Sequence, residues 1–245
     1  MGKHVTICTW RETPHLTPEV QAEMLASMLP SQRKARSEGL PHMGTGLVWP
    51  VDEASVKIAN FPLPHHWPRC FAFDTGWCWN AAIWLAWDKE TDIAYLYDCY
   101  KRDAAEPPIN AASIQARGRW IPGVADAADI DRTDGRQYIE IYKALGLDIE
   151  LPDKTVETGI QQTWTRLSTG RLRVFESCVE WFEEVHIYNR NEKGIIPDTP
   201  RHDLMDATRY GCMSALNRAK TAPVGRKLTF DDSYTPVAGG WMGGI

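Results

Sequence analysis

At 245 residues, with 43% hydrophobic and 24% charged content, the chain has the size and make-up of an ordinary globular protein with one substantial core. A net charge of -5 argues against a protein whose main business is coating nucleic acid, because binders that work by releasing counterions are usually basic, but it leaves room for an enzyme built around a carboxylate cluster. The six cysteines (Cys8, Cys70, Cys78, Cys99, Cys178 and Cys212) contain no C-x-x-C pair, which excludes a zinc knuckle or disulfide framework. No apolar run reaches the roughly 18 residues of a bilayer span, so a cytoplasmic protein without membrane contact is expected.

Residues 1–68 have few regular strands and many punctuators, among them Pro14, Pro18, Pro30, Pro41, Pro50, Pro62, Pro64 and Pro68. A helix opens at Thr17, with Pro18 in its first turn, and runs through EVQAEMLASML; a short basic one covers SQRKARSEG and stops at Gly39. This region reads as an arm laid on a body that begins at Arg69. There RCFAFDTGW is a buried strand, NAAIWLAWD a second and TDIAYLYDCYKR a third, and the short KET link makes the three an antiparallel meander. After a Pro107-Pro108 turn, a helix over INAASIQARG leads to a fourth strand, WIPGVAD, residues 120–126.

The alternation continues with a helix over GRQYIEIYKALGL and a short strand, DIELP. The next helix, TVETGIQQTWTRLSTG, carries Val156, Ile160, Trp164 and Leu167 at helical spacing; the strand RLRVF and the helix CVEWFEEVHIY follow. HDLMDATRYGCMSALNRA, residues 202–219, is the last helix, and 220–245 form a flexible tail. Three antiparallel strands followed by helices and strands in turn make the body, 69–219, an α/β domain.

Three aspartates fall where these elements converge: Asp74 at the end of the first strand, Asp126 at the end of the fourth, and Asp206 on the last helix, with Asp203 one turn before it on the same face. Hard carboxylate oxygens suit Mg²⁺ or Mn²⁺, and two such cations roughly 3.5 to 4 Å apart stabilise both the attacking and the leaving oxygen of a phosphodiester. Taken singly, each aspartate has a plainer reading. Asp74 before Thr75-Gly76 fits a turn cap, Asp203 fits the positive end of a helix, and Asp129, Asp131 and Asp134 fit a solvated acidic loop. There is no G-x-x-x-x-G-K-[ST] and no G-x-S-x-G, and His65-His66 lies in a Pro-rich linker. The tryptophans of the strands, Trp77, Trp79, Trp84 and Trp87, read as packing rather than a base-stacking platform.

Read together, TWRETPHLTPE, SQRKARSEGLPHMGTGLVWPV, HHWPRCFAFDTGWCWNAAIWLAWDKETDIAYLYDCY, TVETGIQQTWTRLSTGRLRVFESC and HDLMDATRYG resemble the C-terminal nuclease part of the large terminase subunit of tailed bacteriophages, in the podovirus-like branch, over residues 5–219. The resemblance implies an RNase H-like mixed sheet, three antiparallel strands followed by parallel ones, flanked by helices. It implies an endonuclease that cuts concatemeric double-stranded DNA at the start and end of packaging, in the host cytoplasm, with two divalent cations, Mg²⁺ or Mn²⁺.

By position in the motifs, Asp74 would bridge both cations and Asp126 and Asp206 would each complete one site, orienting water for in-line attack on phosphorus. Asp203 would stand close by, and Asp129 would substitute for Asp126 because the D-P context of relatives is here Asp126-Ala127. Gly76 would turn the chain without a side chain crowding the site. Lys101, Arg102, Arg132 and Arg136 would hold the DNA backbone. Implied partners are the portal protein, the small terminase subunit and the packaging ATPase domain. With no Walker A motif and a Met-Gly start where that ATPase would end, the expectation is a separate nuclease domain without ATP hydrolysis. Two other readings stay open: a portal-docking module using the tail around Lys227, Asp231 and Asp232, and a junction resolvase, which would expect a Glu in the final motif.

Overall fold

The computed structural model describes residues 9–10, 13, 15–27, 37, 46–76, 79–127, 138–191, 193–197 and 202–223. Asp129, Arg132, Arg136, Trp77, the SQRKARSEG stretch apart from Ser37, and the tail from 224 onward lie outside the described residues.

In chain order the elements are α1 (Pro18–Ser27), α2 (Glu53–Val56), β1 (Lys57–Ile58), β2 (Arg69–Thr75), β3 (Trp79–Asp88), β4 (Ile93–Asp103), α3 (Pro107–Gln115), β5 (Gly123–Ala127), α4 (Tyr138–Ala144) and β6 (Ile149–Glu150). Then come α5 (Val156–Ser168), β7 (Leu172–Phe175), α6 (Val179–Ile187), α7 (Asp203–Tyr210), a π-helical segment over Gly211–Ala215, and α8 (Leu216–Arg218). They build one sheet of order β1-β7-β4-β3-β2-β5-β6. The meander β2-β3-β4 is antiparallel; β5 runs parallel to β2, β6 to β5, β7 to β4 and β1 to β7. The expected mixed α/β sheet is therefore present.

The centre of the sheet explains the unbroken apolar runs. Cys70, Phe71, Ala72 and Phe73 on β2 and Ala81 to Ala86 on β3 are all shielded from solvent, so neither face needs the polar alternation of a half-exposed strand. Each large side chain shielded in this way contributes on the order of 1.5–3 kcal/mol. Of the tryptophans in this region, Trp84 is fully buried.

Several boundaries differ from the sequence reading for local reasons. β5 begins at Gly123 rather than Trp120, because Ile121 N–H turns back onto the Gly118 carbonyl at 3.1 Å and Pro122 has no N–H to give a ladder. Pro107-Pro108 is the first turn of α3, where a missing N–H costs nothing, rather than a turn before it. The last helix is α-helical only to Tyr210 before its π-helical segment. Residues before Arg69 also join the sheet, since β1 pairs with β7 along one edge. They are held there by rings: Phe61 lies 5.2 Å from Tyr95 and 5.0 Å from Phe175, and Trp67 stacks on Tyr95 at 5.1 Å. Among the described residues, no helix is long and apolar enough to cross a membrane.

Candidate active site

The register of the sheet writes one row of side chains across four strands. Asp126 of β5 pairs with Asp74 of β2, Asp74 with Ala81 of β3, and Ala81 with Lys101 of β4. Directly paired residues share a face, so the row presents two carboxylates, a methyl-sized gap and an ammonium side by side. Thr75 Oγ1 donates to the Asp126 carbonyl at 2.9 Å and ties the two strand ends together. At the adjoining hairpin, Gly76 N–H donates to the Trp79 carbonyl at 2.8 Å, and a Cβ on Gly76 would stand 2.9 Å from that oxygen. The glycine thus serves the close backbone approach of the hairpin.

Helix α7 covers this face. Leu204, Met205, Ala207 and Thr208 are buried against the sheet, which leaves Asp203 and Asp206, at i and i+3, beside the row. The helix is fastened from α6. Glu184 Oε2 accepts the Leu204 N–H at 2.9 Å, satisfying a first-turn donor, and Trp181 Nε1 donates to Thr208 Oγ1 at 2.9 Å. Lys101 is paired with Glu184 and lies 3.8 Å from Asp203 Oδ2.

Each outer carboxylate has a cation of its own. Arg209, only 3% exposed, donates through Nη2 to Asp206 Oδ1 at 2.7 Å and through Nη1 to the Lys154 carbonyl at 3.2 Å. Asp126 accepts the Tyr210 hydroxyl at Oδ2 at 2.8 Å and faces Lys154 Nζ at Oδ1 at 2.5 Å. Among the described residues, Asp74 has no such ion pair. Its side chain keeps some exposure yet is surrounded by protein. That burial first, then the charges of Asp206, Asp126 and Asp203, push its pKa well above the ordinary carboxylate range against the pull of Arg209. Burial likewise pushes Glu184 up, opposed by Lys101, and pushes the His202 imidazole down, opposed by Asp206 and Asp203. Both ring nitrogens of His202 are buried without a hydrogen-bond partner.

The donor set fits a hard divalent cation, since it is all carboxylate oxygen and its central member is destabilised by its neighbours' charge. As the side chains stand, no three His, Cys, Asp or Glu among the described residues enclose one ion; Asp126 and Asp206 are turned to Lys154 and Arg209 instead.

The structure thus brings Asp74, Asp126, Asp203 and Asp206 together. It sets Lys101 inside the cluster and leaves Arg102 exposed, paired with Asn80 and so on the opposite face of the sheet. Asp129, Arg132 and Arg136 lie outside the described residues. Sequence reasoning missed Arg209, Tyr210, Lys154 and Glu184. The first two stand inside LMDATRYG, where a cation and a hydroxyl one turn from an aspartate were a usable signal; Lys154 and Glu184 gave none.

The model of the family described as "Terminase RNaseH-like domain" matches residues 73–215. The "Terminase, large subunit" of Enterobacteria phage LP7 is 32% identical over 229 residues, covering 89% of this chain and 48% of that protein, so the chain spans about half the length of that relative. Among solved structures, the P22 large terminase nuclease domain superposes with a TM-score of 0.65 at 30% identity, covering 73% of this chain and 96% of that one. The large terminase nuclease of thermophilic phage G20c, solved with bound magnesium, shares the fold with a TM-score of 0.52 at 14% identity, covering 68% of this chain and 96% of that one. Residues 73–215 hold the site from the Asp74–Asp126 pair to Tyr210, and the chain belongs to the terminase RNaseH-like domain family.

Proposed function

We propose that this chain is a divalent-cation-dependent endodeoxyribonuclease that cuts double-stranded DNA during viral genome packaging. The observation that carries the reading is the in-register pair Asp74–Asp126 at the carboxyl ends of two parallel strands, faced by Asp203 and Asp206 on one helix turn. In this reading Asp74, Asp126 and Asp206 would hold the cations, with Asp74 central between the other two, and Asp203 would stand near them. Two Mg²⁺ or Mn²⁺ ions held there would supply positive charge to offset the negative charge that develops on the attacking and leaving oxygens of a phosphodiester.

The chain's own residues hold the carboxylates in place for this. Tyr210 aims Asp126, Arg209 aims Asp206, and Glu184 with Trp181 fixes the helix on which Asp203 and Asp206 ride. Lys101, engaged by Glu184 and Asp203, acts first on the cluster, whereas exposed Arg102, paired with Asn80, belongs to the opposite face of the sheet and would meet a backbone phosphate only beyond the row. The magnesium seen in the G20c nuclease supports the choice of cation. Family membership supports partners of the packaging motor: the portal protein, the small terminase subunit and a packaging ATPase domain, at work in the host cytoplasm.

The experiment is plasmid cleavage by the purified chain with Mn²⁺ or Mg²⁺. The parent is expected to nick and linearise the plasmid and to stop in chelator. If Asp74→Ala cuts as fast as the parent, the assignment is wrong.

A further inference from the structure

Asp126 meets groups of opposite character at its two oxygens, a hydrogen bond at Oδ2 and a charge contact without a hydrogen bond at Oδ1. At Oδ2 stands Tyr210, 4% exposed, its ring 4.6 Å beneath the Arg209 guanidinium and its hydroxyl 2.8 Å away. At Oδ1 stands the ammonium of Lys154, whose side chain is 51% exposed. The backbone carrying Lys154, between β6 and α5, is anchored: Arg209 Nη1 donates to the Lys154 carbonyl at 3.2 Å, and Asp153 N–H donates to Ser214 Oγ at 3.0 Å. One partner is therefore buried and rigid, and the other is a solvated charge at the end of a flexible four-carbon stem on a fixed base.

We infer that Lys154 is an exchangeable placeholder: its ammonium occupies the cation position at Asp126 Oδ1 and gives it up when a divalent cation enters, while Tyr210 keeps Oδ2 aimed. The inference rests on the divalent-cation reading above. A half-exposed ammonium is held weakly, because water screens it and its stem loses rotamer freedom, so an ion of twice the charge with several oxygen ligands displaces it. Until then Lys154 offsets part of the repulsion that Asp126 would exert on Asp74. Tyr210 has no such exit, since its hydroxyl is packed under Arg209 and within 3.3 Å of its Nη2.

The two groups are predicted to act on cation affinity with opposite sign, which a merely structural role for both would not produce. The test is calorimetric titration of Mn²⁺ into the whole chain without DNA, with melting in chelator recorded for each variant. Lys154→Met, and Lys154→Gln as a second variant should the first fold poorly, are expected to bind Mn²⁺ about two- to fivefold more tightly than the parent, the size of a released exposed ion pair. Tyr210→Phe is expected to bind about tenfold more weakly or worse, as when a partner that orients a metal ligand is lost. Lys220→Met controls for overall charge, because Lys220 Nζ sits 2.9 Å from Asp148 Oδ2, at the far end of β5 and β6, and its affinity is expected to match the parent's. The placeholder role is overturned if the parent binds Mn²⁺ and the Lys154 variants bind no more tightly, or if Lys220→Met tightens binding as much. A parent that binds no Mn²⁺ overturns the cation reading and the placeholder with it.

Discussion

Asp74 and Asp126 stand opposite each other in register on two parallel strands, and of the two only Asp126 has a side-chain cation at ion-pair distance among the described residues. The asymmetry leaves Asp74 with the least compensated charge in the site.

Asp74→Asn is expected to stabilise the metal-free protein in a pH-dependent way. Because burial and three neighbouring carboxylates raise the folded-state pKa well above 3.8, the folded chain keeps this proton over a range where the unfolded chain has lost it. The contribution of Asp74 to stability is therefore full below that ordinary value and falls as pH rises through the window. Asparagine has no proton to lose, so in chelator the variant should melt above the parent at pH 8, with the gap closing towards pH 4. Equal or lower melting at pH 8 contradicts this account.

Glu184 has two separable jobs, capping Leu204 and pairing with Lys101. Glu184→Gln can keep the cap while losing the charge pair, and Glu184→Ala loses both and leaves Lys101 and a helix donor short of partners. Alanine is expected to cost about 2–3 kcal/mol and glutamine about 1 kcal/mol in urea unfolding. Two variants of equal stability would mean that the cap contributes nothing.

Gly159 lies on α5 where a Cβ would stand 2.4 Å from Arg209 Cγ and from Met213 Sδ. Gly→Ala inside a helix ordinarily gains about 1 kcal/mol, whereas forcing carbon into a packed site costs about 1–3 kcal/mol. Since Arg209 is pinned by Asp206, crowding should win, and Gly159→Ala is expected to lose about 1 kcal/mol net and to loosen the guanidinium from Asp206. A stabilised variant would show that Arg209 yields freely.

Mn²⁺ at 100 times its dissociation constant is expected to raise the parent's stability by about 2.7 kcal/mol, through binding to the folded state alone. Asp126→Asn and Asp206→Asn should lose most of that rise. A thermal shift that survives in both would locate the cation elsewhere.

Much of this was legible in the sequence, for identifiable reasons. The apolar runs of β2, β3 and β4, with one short link, prescribe a meander, and the carboxylates at the ends of FAFD and GVAD prescribe where strand ends meet. The register that sets Asp74 between Asp126 and Ala81 was not readable, because pairing across strands is decided by the whole sheet. Nor were Lys154 and Glu184: each comes from an element distant in sequence and reaches the site only through packing. Lys101 read as a DNA contact because a lysine near a strand end looks solvated; the row makes it a neighbour of Asp203 and Glu184.

The row across the sheet also sets a timetable. Asp74, Ala81 and Lys101 are synthesised early, Asp126 only after the crossover through α3, and Asp203 and Asp206 last, on a helix that cannot dock until α6 is there to hold it. Such distant pairings close late in folding. A growing chain still lacking α7 has half of its acidic cluster and none of its Arg209 or Tyr210 support, so the four carboxylates come together only when the last helix docks. A chain cut short before that helix therefore presents the Asp74–Asp126 pair alone.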